Sequence, residues 1–243
     1  MSDPGHSDPV LPTGRVALIA LFITALITAQ LTASKVLGIS LPFSLPVTGS
    51  LLVLPGAAFA YALTFFATDC YGELYGRKPA QKLVNVGFVM NFVMLVLVWS
   101  TIEAPVAPQG SVDATKFATV LGASTNIVVG SLLAYIVSQN WDVVVFHKIK
   151  EFTDGDHLWA RNIGSTVTSQ AIDTAIFVGV AFFLAPTLLG TGTALPAAVL
   201  VQLALGQYVL KFLIALADTP FVYAVVGYLR TQGYGTATAT VAD

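Results

Sequence analysis

Charged residues are scarce in this sequence: Asp, Glu, Lys and Arg together make up 10% of the chain, whereas hydrophobic residues make up 56%. Soluble domains carry about 25% charged residues, because they need them to cover a water-facing surface. The mean hydropathy of +0.79 points the same way. The composition therefore excludes a soluble globular protein and predicts one that lies in a lipid bilayer.

Other absences exclude further classes of protein. The single cysteine, Cys70, rules out an internal disulfide. The net charge of −2, with no basic run between aromatics, gives no reason to expect a nucleic-acid partner. The motifs G-x-x-x-x-G-K-[ST], H-E-x-x-H and G-x-S-x-G are all missing. We therefore expect no enzyme, no catalytic residues, no cofactor and no metal site.

Long apolar windows are what the sequence does contain. A transmembrane helix needs about 20 apolar residues, and six windows approach or exceed that length. None alternates with a period of two, which favours helices over barrel strands. The sequence thus predicts an all-α, polytopic membrane protein with six transmembrane helices. The predicted spans are Val16–Leu37, Leu51–Tyr71, Leu83–Ile102, Phe117–Asn140, Ile163–Leu188 and Ala197–Leu229.

The loops between these spans differ in charge. Loops 72–82 and 141–162 carry several Lys and Arg residues, whereas loops 38–50 and 189–196 carry no charge. Basic loops stay on the cytoplasmic side of a membrane. We therefore expect a multi-pass protein of the plasma (cell inner) membrane with both termini in the cytoplasm.

The ends of the chain and two internal stretches have their own composition. Residues 1–14 predict a disordered tail, 15–230 the six-helix transporter domain, and 231–243 a flexible tail. The mixed apolar and basic stretch 141–152 is expected along the inner membrane surface. Pro220, inside the last span, predicts a kink or break there.

A lysine in the middle of the last span is the most informative single residue. A charge at a helix centre costs about 2.5–3.5 kcal/mol on insertion scales, so it usually pairs or lines a pathway. Gln207 and Asp218 share one helix face with Lys211. Asp173, near Gln170 on the fifth span, lies at a comparable depth. The spacing predicts an ion pair between Lys211 and Asp173, although such a pair can also be purely structural.

Further polar side chains lie nearer the predicted cytoplasmic side. Asp69 and Glu73 are one helical turn apart, but Arg77 and Lys78 follow closely, so local ion pairing explains them equally well. Asn140 lies near the cytoplasmic mouth. In the first span, Gln30 and Ser34 share a face, beside Lys35. Together, the candidate substrate-binding residues are Asp173, Gln170, Lys211, Gln207, Asp69, Glu73, Asp218 and Asn140.

Four segments that contain most of these residues resemble one family. They are FFATDCYGELYGRKPAQKLV (65–84), SQNWDVVVFHKIKEFT (138–153), HLWARNIGSTVTSQAIDTAIF (157–177) and LGQYVLKFLIALADTPFVY (205–223). They are similar in sequence and order to the queuosine precursor transporters, the YhhQ-type family within the vitamin-uptake-like transporters. The resemblance implies a six-helix membrane protein that imports 7-deazaguanine precursors of queuosine or archaeosine, such as queuine, preQ0 or preQ1.

The implied ligand suits the polar residues. A 7-deazaguanine offers N1–H and 2-amino donors side by side, which a carboxylate such as Asp173 can accept as a fork. Gln or Lys side chains can donate to O6, and aromatic residues can stack on the flat base. Candidates for stacking are Phe177, Tyr208 and Trp159. The expected partners are this small molecule and the lipid bilayer. A homo-oligomer is also possible, and the sequence does not decide between it and a monomer.

Two alternatives remain at the level of sequence. The chain could be a substrate-binding, S-component-like subunit of an energy-coupling-factor vitamin importer. Ala25, Ala29 and Ala33 would then dock a membrane partner, although such a stripe equally serves helix packing. A purely structural membrane protein is the other alternative. Proton coupling through Glu73 or Asp173 and facilitated diffusion are both compatible with the residues.

Overall fold

The computed structural model describes residues 12–45, 49–154 and 158–235. Within them the chain forms eight α-helices, one π-helical turn and two β-strands. In chain order these are α1 (Thr13–Thr32), β1 (Val36–Leu45), β2 (Gly49–Pro55), α2 (Ala58–Tyr75), α3 (Arg77–Glu103), α4 (Ala114–Gly122), α5 (Ser124–Phe152), α6 (Leu158–Gly179), the π-helical turn Val180–Leu184, α7 (Ala185–Leu189) and α8 (Ala197–Thr231).

Five helical segments of the described chain are long and apolar enough to cross a membrane. They are Thr13–Thr32, Arg77–Glu103, Ala114–Phe152, Ile163–Leu189 and Ala197–Thr231. The remaining long helix, α2, is less apolar because it carries Asp69 and Glu73, and it packs against α1, α3 and α8. The protein is therefore a mostly helical, multi-pass membrane protein with five to six helices of spanning character.

Helix α2 ends at a glycine that sets the direction of the next helix. Gly76 has φ of 87°, a left-handed conformation that glycine adopts without steric cost. Helix α3 begins at the next residue, Arg77. This tight connection places α2 and α3 side by side and brings Arg77 close to the acidic end of α2.

A β-hairpin between α1 and α2 corrects the all-α prediction. Strands β1 and β2 pair antiparallel, with Val36 opposite Pro55. The expected start of the second span at Leu51 is wrong, because the chain stays extended to Pro55 and α2 begins at Ala58. The inner end of β2 is buried against α8, where a Cβ on Gly206 would overlap the Val53 carbonyl oxygen. Burial against α8 therefore stabilises the apolar stretch Leu51–Pro55 as a strand.

Other boundaries also differ from the sequence prediction. Helix α1 ends at Thr32 rather than at Leu37, and α3 begins at Arg77 rather than at Leu83. The fourth span is divided at Ala123 into α4 and α5. Helix α5 then continues without interruption to Phe152, so residues 141–152 are not a separate surface helix. Helix α8 is continuous through Pro220, so the predicted break there is absent. Membrane helices tolerate proline because the freed backbone group finds other partners.

The fifth span ends in a wider turn that the loop beyond it supports. Between α6 and α7 the backbone forms the π-helical turn Val180–Leu184. The Phe182 carbonyl oxygen accepts a hydrogen bond of 2.9 Å from the backbone N–H of Leu195 in the following loop. The loop before α8 is thereby tied to the end of the fifth span.

The predicted tails fall mainly outside the described residues. Helix α1 already begins at Thr13, and a turn at 232–235 follows α8. This turn contacts the end of α2, since a Cβ on Gly235 would lie 2.9 Å from the Leu74 carbonyl oxygen. Cys70 is buried in the neighbouring apolar cluster as a small packing residue.

Candidate functional site

A buried ion pair joins α8 to α6. Nζ of Lys211 lies 2.6 Å from Oδ2 of Asp173, and it also donates to Oγ1 of Thr174 at 3.1 Å. The side chains of Lys211 and Asp173 are only 7% and 19% exposed. The ion pair predicted from sequence is confirmed, and it pins the middle of α8 to the middle of α6.

The second oxygen of the same carboxylate is held by α5. Oγ of Ser138 donates to Oδ1 of Asp173 at 3.3 Å. Three helices thus fix one carboxylate, with Lys211 on α8 and Ser138 on α5. Among these residues, Ser138 and Asp173 line the central cavity of the bundle, but Lys211 does not. Lys211 therefore holds the carboxylate from α8, while the carboxylate itself forms part of the cavity wall.

This central cavity has a volume of about 260 Å³. Its walls come from α1, α2, α3, α5, α6 and α8, and Pro55 at the end of β2 closes one side. Ligand pockets in proteins span about 300–1,000 Å³, so the cavity suits a small molecule. Most of the wall is apolar, and Asp173 is the carboxylate in its described lining.

Aromatic rings from three helices line the cavity. Tyr61 and Phe65 on α2 pack edge to face at 4.7 Å, and Phe88 on α3 packs against Tyr135 on α5 at 4.3 Å. Nζ of Lys211 lies 6.0 Å from the centre of the Tyr61 ring. Flat rings of this kind can stack on a heterocyclic ligand.

Of the three aromatic residues predicted from the sequence to stack on the ligand, one lines the central cavity. Phe177 lines the cavity and is 9% exposed. Tyr208 is turned to α6, where its hydroxyl donates to the Val167 carbonyl at 3.3 Å, and it is not part of the described cavity lining. The side chain of Trp159 lies outside the described part of the structure.

Four glutamines line the central cavity, one of them Gln139 on α5. Gln207 on α8 and Gln170 on α6 line it, as the sequence suggested, and Gln30 on α1 joins them. Gln30 and Gln207 are 5% and 8% exposed, and the Oε1 atom of each has no hydrogen-bond partner within the described chain. Gln30 was noticed in the sequence as a polar residue, but it was not among the candidate site residues.

The acidic residues of α2 line a different cavity. Asp69 and Glu73 face a second space of about 610 Å³ between α2, α3 and α8. Glu73 Oε2 lies 3.5 Å from Nη2 of Arg230, which also donates to the Glu73 carbonyl at 3.2 Å. The partner of Glu73 is thus on α8, whereas the sequence pointed to Arg77 or Lys78. Arg77 lines the same second cavity.

The two cavities meet at two residues. Thr68 on α2 and Val84 on α3 appear in the walls of both the central and the second cavity. Asp69 follows Thr68 directly in the chain, so the acidic group begins where the central cavity ends. The described structure therefore contains two adjoining spaces along α2 rather than one deep site.

The last two candidates lie away from the central cavity. Asp218, on α8, belongs to the described wall of neither cavity, and its buried Oδ2 has no partner among the described residues. Asn140 is exposed and donates to the Ile136 carbonyl on its own helix at 2.7 Å. The neighbouring Gln139 lines the central cavity in its place.

Several lining residues escaped the sequence analysis, namely Gln30, Tyr61, Tyr135, Ser138 and Gln139. Tyr61 and Tyr135 look like ordinary packing aromatics in their spans, and Ser138 resembles any small residue at a helix contact. The available signal was the isolated amide of Gln30 in an otherwise apolar window. A buried amide there has to be compensated by another group.

Comparison with known proteins agrees with a transport site. The family described as "Putative vitamin uptake transporter" matches residues 55–225. The chain belongs to this family. The match runs from the end of β2 into α8, and it includes Asp173, Lys211 and most of the residues that line the two cavities. By name this is a family of transporters rather than of enzymes.

Two relatives illustrate the similarity. A "Probable queuosine precursor transporter" of Bacillus subtilis is 36% identical over 165 residues, which cover 68% of this chain and 68% of the relative. A protein of the same name from Haemophilus influenzae is 29% identical over 159 residues, covering 65% of this chain and 60% of the relative. No solved structure matches the chain.

Proposed function

We propose that this vitamin uptake transporter imports 7-deazaguanine precursors of queuosine or archaeosine, namely queuine, preQ0 or preQ1. The observation that carries the proposal is the cavity of about 260 Å³ whose wall includes the ion-paired carboxylate of Asp173. The names of the two relatives support the same class of substrate.

Asp173 is suited to the guanine-like edge of such a ligand. Each of its oxygens already accepts one hydrogen bond, from Lys211 or from Ser138. A carboxylate has about four acceptor sites, so each oxygen can take one more donor. The N1–H and 2-amino groups of the ligand provide two donors at matching spacing. Gln170, on the same helix, donates to O6.

In this account Lys211 is a positioning residue. A carboxylate in a dry cavity is costly unless it is paired, and Lys211 supplies the charge from α8. The ligand therefore meets the carboxylate and not the ammonium group. In this proposal Lys211 holds Asp173 rather than contacting the substrate.

The proposed topology has six crossings with both termini in the cytoplasm. The crossings are α1, α2, α3, α4–α5, α6–α7 and α8, within a transporter domain of residues 15–230. The basic α2–α3 connection and the basic end of α5 support this orientation. The second cavity, with Arg77 and Arg230, then opens to the cytoplasm, and the β-hairpin lies towards the outside.

The adjoining cavities suggest the route of the substrate. Thr68 and Val84 form the boundary between the central cavity and the cytoplasmic one. A ligand released from Asp173 passes this boundary and enters the wider space lined by Asp69 and Glu73. In this route the α2 carboxylates line the exit and do not form the central site.

The alternative as an energy-coupling-factor subunit receives no support from α1. Its proposed docking stripe, Ala25, Ala29 and Ala33, is only 5%, 6% and 1% exposed. Ala29 and Ala33 pack in the apolar core beside the central cavity. The stripe therefore serves helix packing within this chain, and we propose a transporter that works without an ATPase partner.

A competition uptake assay tests the proposed function. Cells that lack their own precursor uptake would express the protein and receive one labelled precursor, with excess queuine, preQ0, preQ1 or guanine as competitor. We expect one or more of the three precursors to compete strongly. Failure of all three to enter or compete would refute the proposal. Repetition with a protonophore distinguishes proton coupling from facilitated diffusion.

A further inference from the structure

Two buried side-chain oxygens in the central cavity have no partner. Oε1 of Gln30 on α1 and Oε1 of Gln207 on α8 accept no hydrogen bond from the described residues. Both glutamines line the cavity and are more than nine-tenths buried. Buried polar atoms are nearly always hydrogen-bonded, so two such exceptions in one cavity call for an explanation.

The surroundings of Gln30 fix which end of its amide is free. Ser131 on α5 donates its one hydroxyl hydrogen to the Val128 carbonyl at 3.0 Å. Towards Gln30 the hydroxyl can therefore only accept, and Nε2 of Gln30 donates to it at 3.3 Å. Ser131 thus leaves the carbonyl oxygen of Gln30 as the unpaired group.

The two glutamines approach the cavity from different helices. Gln30 is tied to α5 through Ser131, whereas Gln207 is on α8, one helical turn before Lys211. Together with Asp173 they make three separate acceptors in one small space. A ligand that leaves such acceptors unmatched binds poorly, because its entry removes their remaining access to water.

We propose that Gln30 and Gln207 are specificity-determining residues whose side-chain oxygens accept hydrogen bonds from donors that Asp173 leaves unused. The inference rests on the proposed function and deepens it. In a 7-deazaguanine, Asp173 takes N1–H and one amino hydrogen, so the second amino hydrogen and the pyrrole N–H at position 9 remain. Both donors lie on the N3 side of the base, separated by the N3 acceptor, so two acceptors from different helices can take one each.

The proposal defines the chemical class of the substrate. It is a planar base with donors on two edges and an unsubstituted pyrrole nitrogen. A nucleoside has a sugar on that nitrogen, so it lacks the donor that one of the two glutamines would accept. The site therefore selects free bases over their nucleosides.

Binding to the purified full-length protein tests the inference. The variants are Gln30→Met and Gln207→Met, which keep the side-chain length but remove the amide. The matched control is Gln202→Met, on the same helix as Gln207 and outside the described cavity wall. Calorimetry would measure the affinity for preQ1 and queuine, and thermal unfolding the stability without ligand.

We expect each cavity variant to lower the affinity about 5- to 10-fold, as the loss of one hydrogen bond predicts. The melting temperature without ligand should stay the same or rise, since an unpaired buried oxygen is removed. Gln202→Met should leave the affinity unchanged. A preQ1 analogue without the 2-amino group should be sensitive to only one of the two substitutions.

The outcomes separate this inference from the proposed function. If the wild-type protein binds none of the three precursors, the proposed function fails, and the inference fails with it. If the wild type binds a precursor and both cavity variants bind it equally well, only the inference is refuted. A lower melting temperature without loss of affinity would show that the amides only pack, which also refutes it.

Discussion

Lys211 on α8 holds Asp173 on α6 in an ion pair beside the central cavity. The two charged atoms are 2.6 Å apart, and only the carboxylate belongs to the described cavity wall. An unpaired carboxylate in such a place would be expensive, because removal of a charge from water costs several kcal/mol even after relaxation. The lysine and the hydroxyls of Ser138 and Thr174 satisfy the pair and leave acceptor capacity for a ligand.

Neutralising the carboxylate should abolish transport. Asp173→Asn keeps the shape but replaces one acceptor oxygen by a donor, which faces the ligand N–H groups with the wrong polarity. We expect uptake of labelled precursor to fall at least 100-fold, as for the loss of two charge-assisted hydrogen bonds of about 1.5–3 kcal/mol each. Because the variant also leaves Lys211 without its counter-charge, uptake is normalised to the amount of protein in the membrane, measured by immunoblot.

The chain offers a matched control for this change. Asp142 on α5 accepts a hydrogen bond from Oγ of Ser169 on α6 at 3.2 Å, much as Asp173 accepts one from Ser138. Asp142 lines neither of the two cavities. Asp142→Asn should therefore retain uptake. Equal uptake in both variants would contradict the role of Asp173.

Breaking the ion pair on one side should be worse for stability than removing it altogether. Lys211→Met leaves a buried carboxylate without its counter-charge and should lower the unfolding free energy by about 3–5 kcal/mol. The double variant Lys211→Met/Asp173→Leu should recover most of this loss, because an apolar pair packs well. Thermal unfolding in detergent measures both.

Uptake of labelled precursor by the same single and double variants measures their transport activity. The double variant should be stable and inactive, since it lacks the carboxylate that binds the ligand. A double variant as unstable as the single one would mean that the two residues are not energetically coupled. An active double variant would show that neither residue is needed for transport.

The boundary between the cavities should control passage rather than binding. Val84→Phe places a larger side chain where the two spaces meet, next to Thr68. We expect the maximal uptake rate to fall about 10-fold or more, while the affinity for the precursor in detergent stays within about 2-fold, because the contacts to Asp173 are untouched.

Val86→Phe is the control for this experiment. Val86 lies on the same helix, is 52% exposed, and belongs to neither cavity wall. Its replacement should change neither rate nor affinity. An unchanged uptake rate in Val84→Phe would place the route elsewhere.

The contact between the hairpin and α8 predicts a strong effect of one methyl group. In Gly206→Ala the new Cβ would overlap the backbone oxygen of Val53, which cannot move like a flexible side chain. Overpacking of this kind costs about 1–3 kcal/mol, and the melting temperature should fall accordingly. Gly227→Ala, also in α8, meets nothing within 4 Å and should be neutral or slightly stabilising. Equal melting temperatures would argue against the close contact.

The sequence predicted the ion pair because the physics behind it is local and strong. A charge in an apolar window needs a partner, and only a few residues of the spans, Asp173 among them, could supply one at that depth. The positions of α1, α3 and α8 followed similarly from the apolar windows, although α1 ends five residues earlier and α3 begins six residues earlier than predicted. Which side chains line the central cavity was not predictable, because this depends on packing between helices that are far apart in the chain.

The hairpin escaped prediction for a different reason. Leu51–Pro55 is an apolar run directly before α2, and periodicity cannot tell so short a run from the first turns of a helix. Pro55 and Gly56 were the available breaker signal. The run forms a strand because β1 supplies backbone partners and α8 covers Val53 and Leu54. Neither contact can be read from the run itself.

The contact that orients the Gln30 amide in the central cavity also could not be predicted from the sequence. Gln30 is oriented by Ser131, which follows it by 101 positions. A single sequence contains no signal for such a pair. The ion pair and the amides of Gln170 and Gln207 were therefore predictable, whereas the contribution of Gln30 required the structure.

The most direct measurement of the central claim is uptake by the purified protein alone. The chain would be reconstituted into liposomes without any ATPase partner, and entry of labelled preQ1, preQ0 or queuine would be followed for the wild type and for Asp173→Asn. We predict saturable uptake of at least one precursor by the wild type and none above the empty-liposome level by the variant. Equal uptake by both proteins, or by neither, would contradict the account.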